Sequence, residues 1–183
     1  LARRHHALVR RLLRGTALLL VCGLGAAIAT PLLRTDPAAY LERHPAVAAA
    51  IDAAAEDIEW RPLSRRMGDA DASEAAILRR LIAARIQAHM MAYDAARSEG
   101  RATVSEAAAL YQIRGLLYAL AAHPTGDPQL DAFTLNNAAY AAVAGTTDPS
   151  PEDLEVARSA LPDLNRAAHR QTNSAYHDTV GAV

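Results

Sequence analysis

The sequence predicts an all-α protein, and three observations carry that reading. Roughly a quarter of the chain is alanine, the residue that loses least on entering a helix. Apolar residues recur at three- and four-residue steps, and no run of alternating β-branched residues suggests a strand. Prolines, glycines and aspartates interrupt the periodic stretches at helix-length intervals, where they supply caps and turns. At 183 residues the chain can hold an export segment and one modest domain with a real core.

The first element reads as an address. Arg3, Arg4, Arg10, Arg11 and Arg14 precede an uncharged run from Gly15 to Leu33, the order of a secretory signal, and Ala27-Ile28-Ala29 supplies the small residues that a signal peptidase reads. Residues 1–29 are expected to be a signal peptide cleaved before Thr30 or, uncut, a membrane anchor, since about 19 residues at ~1.5 Å each approach the hydrocarbon thickness. Either way the arginines hold the N-terminus inside, so the rest is delivered to the periplasm or stays tethered to the inner membrane. The single cysteine, Cys22, lies in this run and leaves no partner for an internal disulfide. There is no lysine, the net charge is −1, and without the leading arginines the remainder is acidic. That removes the basic face a nucleic-acid partner needs.

Residues 30–70 read as a helical arm and a linker. Asp36-Pro37 places a cap before proline at the first helical position, opening a helix to about Arg43; His44-Pro45 resets the direction, and a second helix runs to about Glu59. The stretch 60–70, WRPLSRRMGDA, is a linker by composition.

The main body is residues 71–183. Asp71 or Ser73 caps a long helix ending near Glu99-Gly100, with Ile77, Leu78, Leu81, Ile82, Ile86, Met90 and Tyr93 on one face. A helix over 104–122 repeats the pattern with Leu110, Ile113, Leu117, Tyr118 and Ala121, and His123-Pro124 stops it. Thr125-Gly126-Asp127-Pro128 turns the chain into a helix over 128–144, closed by Gly145. The stretch TTDPSPEDL holds turn residues and the cap of a helix from about Pro151, in which Pro162 predicts a kink or break. Thr172 or Asn173 caps a last segment that reaches Val183 with no closing turn. Short connections predict antiparallel neighbours.

Two stretches near the end look like copies. Leu135-Asn136-Asn137-Ala138-Ala139-Tyr140 and His177-Asp178-Thr179-Val180-Gly181-Ala182 share an order of polar pair, apolar and small residue at an offset of about 42 residues. Between them Leu154, Ala157, Ala160 and Leu161 recur at helical spacing. Over residues 130–183 the chain resembles a tetratricopeptide repeat, with two departures: Asp153 stands where alanine is usual, and Pro162 interrupts the second helix. The resemblance implies antiparallel helix pairs stacked as a short solenoid over 71–183, truncated at its C-terminus, whose concave surface binds a protein or peptide. Asn136, Tyr140, Val143 and Asp178 would line that surface, asparagine offering a donor and an acceptor to a peptide backbone.

Candidates for chemistry are few. None of the seven histidines forms a His-x-x-x-His pair and no cysteine or carboxylate cluster has ligand spacing, so neither metal nor cofactor is expected. Arg85 and His89 sit one turn apart on the apolar face of the long helix, and Arg114 has the equivalent place on the next. Buried unpaired charge is costly. Either the arginine stems lie along apolar surface and their guanidinium groups reach solvent or a carboxylate such as Glu74, Asp94 or Glu106, or the three residues form an anion site between helices. The second arrangement is similar in outline to small exported chorismate mutases, whose sites also use a lysine that this chain lacks. The favoured expectation is an exported or anchored helical-repeat protein that binds other proteins; the alternative is a small exported helical enzyme or anion binder.

Overall fold

The structure, a computed structural model, describes residues 37–56, 59–170 and 179. The expected signal or anchor, the cap at Thr172 or Asn173, Asp178 and, Thr179 apart, the second repeat copy lie outside the described residues. Within them every regular element is a helix: α1 Pro37–Arg43, α2 Pro45–Glu56, α3 Trp60–Asp69, α4 Ala72–Ser98, α5 Glu106–Gln112, α6 Arg114–Ala121, α7 Pro128–Ala144 and α8 Pro151–Arg170.

Caps fall where the sequence offers them. Asp71 accepts from the Glu74 amide at the start of α4, Ser105 from the Ala108 amide at α5, and Asp127 from Gln129 and Leu130 at α7 with Pro128 behind it. Helix α4 ends in a Schellman motif: Gly100 at φ 69° turns the chain so that its amide meets Arg97 O at 3.1 Å and the Arg101 amide meets Ala96 O at 2.8 Å.

Three elements differ from expectation. The stretch 60–70 is mostly helix, because Pro62 lies in the first turn, where no intrahelical donor is needed, and Leu63 and Met67 one turn apart bury completely or nearly so. The helix over 104–122 is two helices meeting at Ile113, whose amide turns to Leu110 O (3.1 Å). Helix α8 runs through Pro162 without stopping. Its buried stripe is Asp153, Ala157, Ala160, Leu164 and Ala167, while Pro162 and Arg158, the residue whose carbonyl the proline deprives of a donor, are on the exposed side. On that side the carbonyl is open to solvent, so the lost helical bond leaves no buried orphan.

Two apolar clusters share the α5–α6 pair as a common wall. Ile113, Leu116 and Ala119 face Tyr40, Val47, Ile51, Leu63, Met67, Leu78 and Ile82 from the N-terminal helices. Leu110, Leu117 and Tyr118 face the alanines of α7 together with Ala157, Ala160 and Leu164 of α8. Helices α2 and α3 thus pack on α6, on the side opposite to α7.

Alanine sets the spacing in the second cluster. Ala138, Ala139, Ala141 and Ala142 of α7 are fully buried, and the helix end presses against α5. A Cβ on Gly145 would stand 2.4 Å from Tyr111 Cβ and 2.6 Å from Ala107 O. Gly145→Ala should therefore lower stability by about 1–3 kcal/mol, the cost of forcing apart a packed contact, although its φ of −85° is one that alanine adopts freely. Denaturant unfolding measures it; an unchanged midpoint would contradict the close approach.

Candidate functional site

The first turn of α8 gathers polar contacts from several separate helices. Its sequence, Ser150-Pro151-Glu152-Asp153, is a capping box: Ser150 Oγ accepts from the Asp153 amide at 3.2 Å, and Asp153 Oδ2 accepts from the Ser150 amide at 2.9 Å. Asp153 then reaches beyond its own helix. Oδ2 accepts from Tyr111 OH at 3.0 Å, and Oδ1 accepts from Tyr118 OH at 2.7 Å and from Arg114 Nε at 2.9 Å. The carboxylate side chain is 2 % exposed and that of Arg114 13 %. Beside it Glu152 Oε1 accepts from Trp60 Nε1 at 2.7 Å and pairs with Arg61 at 3.0 Å, and the Trp60 ring meets Tyr118 edge-on at 6.1 Å.

Burial works against the Asp153 carboxylate, but hydrogen bonds from Tyr118, Ser150 and Tyr111 outweigh it and hold the group below the usual aspartate range. The same contacts act oppositely on the phenols. Burial, then the neighbouring carboxylate, push Tyr118 and Tyr111 upward. The cluster is therefore a carboxylate fixed in its charged form, with two phenols kept protonated as donors. A guanidinium stacked 3.6 Å from the centroid of the Tyr111 ring supplies the balancing charge.

The structure separates the three residues of the expected anion site by role. Arg85 is exposed and faces Glu56 at 3.4 Å and Asp52 at 3.7 Å. His89 and Arg114 both attach to the α5–α6 joint: His89 Nε2 lies 3.0 Å from Ala109 O, and Arg114 Nη1 donates to Tyr111 O at 3.0 Å. Those two carbonyls are among the ones an unbroken helix would pair within itself, so the side chains sustain the break at Ile113. Neither arginine takes the carboxylates named from sequence; Asp52, Glu56 and Asp153 hold them instead.

The residues placed on the concave surface stand together on α7 at i, i+4 and i+7. Asn136 is 8 % exposed, and Tyr140 and Val143 are half-buried against the C-terminal cluster. Asn136 Oδ1 is buried and finds no hydrogen-bond donor among the described residues. Two further clusters brace the other end. Glu74 accepts from Tyr40 OH at 2.5 Å and from Arg66, and these bonds, that of Tyr40 first, hold its carboxyl low against burial. Arg79 donates to His123 O and Pro124 O while Ser64 Oγ meets His123 Nε2 at 2.9 Å. Among the described residues no three metal-ligating side chains converge.

No family model, curated protein or solved structure matches the chain.

Asp153 was visible in the sequence only as a misfit to the repeat pattern. The signal that locates it is the Ser-x-x-Asp spacing behind a turn; what that spacing does not reveal is that Tyr111, Arg114 and Tyr118, at helical steps of three and four, converge on the same carboxylate.

Removing Asp153 leaves Arg114 and Tyr118 buried without their acceptor. Asp153→Ala should cost about 3–5 kcal/mol, and Tyr118→Phe only about 1 kcal/mol. The folded chain holds this carboxyl below its unfolded value, so on acidification the unfolded chain binds the proton first. The contribution is complete above about pH 4 and falls as pH drops through the lower folded value. Denaturant midpoints from pH 7 to pH 2 should show Asp153→Asn with a shallower acid limb than the parent; identical limbs would contradict it.

Proposed function

We propose that the chain is a helical protein-binding module, exported or held at the membrane by residues 15–33, whose partner is a protein or peptide docking along α7. The observation that carries this reading is Asn136. A carboxamide oxygen that is buried and unpaired costs about 1–3 kcal/mol, and protein interiors leave few such groups. It shares a face with Tyr140 and Val143, which remain partly open, and its oxygen, closed off from water, accepts from a docking backbone N–H once those neighbours yield.

Two further observations support a short tetratricopeptide-like stack. Helices α7 and α8 fold back on each other across a seam of small residues, and Thr179, beyond α8, is helical and 1 % exposed. Export rests on the order of arginines and apolar residues at the start of the chain. Among the described residues no helix is long and apolar enough to cross a membrane. The alternative, an anion-binding or catalytic site on Arg85, His89 and Arg114, has less support, because each of the three faces an acceptor of its own chain.

The test combines binding and stability in the full chain. A photoreactive amino acid at Val143 should yield, in cells, a discrete adduct with a second protein, reduced severalfold by Asn136→Ala. The same variant should melt at the parent temperature or higher, since it loses an unpaired acceptor and gains a better helix former. An adduct indifferent to Asn136→Ala, together with a lowered melting temperature, would make Asn136 a core residue and remove the reading's support.

A further inference from the structure

Helix α4 has two apolar faces. Leu78, Ile82, Ile86 and Met90 pack on the body. Half a turn away Ala84, Ala88, Met91 and Ala95 are all exposed, and Met91, at 58 %, is the more exposed of the two large apolar side chains that the described residues leave in water. Ala84, Ala88, Met91, Ala95 and Ser98 alternate in steps of four and three, the spacing of a coiled-coil seam over the C-terminal half of the helix, while Leu81, next on the same line, packs on the body. Alanine at such positions lets a second helix approach to about 8 Å.

Small residues alone select no partner; the charges beside them do. Arg80 and Asp94 flank the seam on one side, Arg85 and Glu99 on the other, each pair two heptads apart and of opposite sign. A parallel copy would set Arg80 beside Arg85 and Asp94 beside Glu99, like against like. An antiparallel copy sets Arg80 against the second copy's Asp94 and Arg85 against its Glu99, and by symmetry makes each contact twice. Within its own chain Arg85 is held by two exposed carboxylates, Glu56 at 3.4 Å and Asp52 at 3.7 Å, surface pairs of little worth that can be exchanged.

We propose that the outer face of α4 pairs antiparallel with the same face of a second copy of this chain, about a twofold axis near Met90. The contact is isologous and closes on itself. It lies on a different helix from the α7 face and does not depend on what docks there.

Crosslinking of the full chain in dodecylmaltoside micelles tests it, with Cys22→Ser removing the native thiol. Met91→Cys lies beside the axis and should be joined to its counterpart by a short bismaleimide. Ser98→Cys should not, because the antiparallel arrangement separates the two copies of that residue by about 25 Å. Asp94→Arg should reduce the Met91→Cys dimer at least fivefold, and adding Arg80→Asp should restore it, with circular dichroism melts showing that every variant is folded. Crosslinking at both positions, at neither, undiminished by Asp94→Arg, or unrestored by the double reversal overturns the proposal.

Discussion

A charged carboxylate buried at the start of α8 is the constraint on which the rest of the structure depends. An unpaired charge in such a place would be prohibitive, so Asp153 requires Tyr111, Arg114 and Tyr118 at hydrogen-bonding distance at once. Those residues sit on both sides of the α5–α6 joint, so the joint and the α8 terminus fix each other's position. The N-terminal end of a helix is also where a carboxylate gains from unpaired amides and the helix dipole. Glu152, one residue earlier, extends the hold to Trp60 and Arg61 of α3. One helical turn therefore ties α3 and α8 to the α5–α6 wall between them.

That arrangement explains the break at Ile113. A continuous helix would carry Tyr111 and Arg114 on a regular spiral and satisfy its own carbonyls. The break re-aims Arg114 toward Asp153, and the freed Ala109 and Tyr111 carbonyls are met by His89 and by Arg114 itself. Polar side chains that resemble a ligand site in sequence are, in the folded chain, the fittings of a helix joint. Alanine provides the other half of the design: with so few large side chains on α7, its contacts come from close approach, which is why Gly145 has no room for even one added carbon.

Much of the fold was legible in the sequence, and the misses have physical causes. Caps at Asp71 and Asp127, the stop at Gly100 and the length of α7 follow from local chemistry that a single segment contains. Helix α3 was hidden because proline and glycine suggest a linker, whereas Pro62 in a first turn and Gly68 near the last one interrupt no hydrogen bond of consequence. Pro162 predicts a kink or break; the helix continues through it, with Pro162 and Arg158 both on its exposed side. The candidate site was legible in part. Arg114 and His89 stand out in the sequence as polar groups on apolar faces, but their partners are set by tertiary packing across 39 and 20 residues of chain, which periodicity does not encode.

The central claim is that this one turn makes the N-terminal helices and the α7–α8 pair a single cooperative unit. Native-state hydrogen exchange tests it most directly, by comparing the slowest amides near Ala54 and Leu63 with those near Ala139 and Ala160. The account predicts one opening free energy for both groups. A lower free energy for the α7–α8 amides alone, showing that the pair opens while α2 and α3 remain closed, would contradict it.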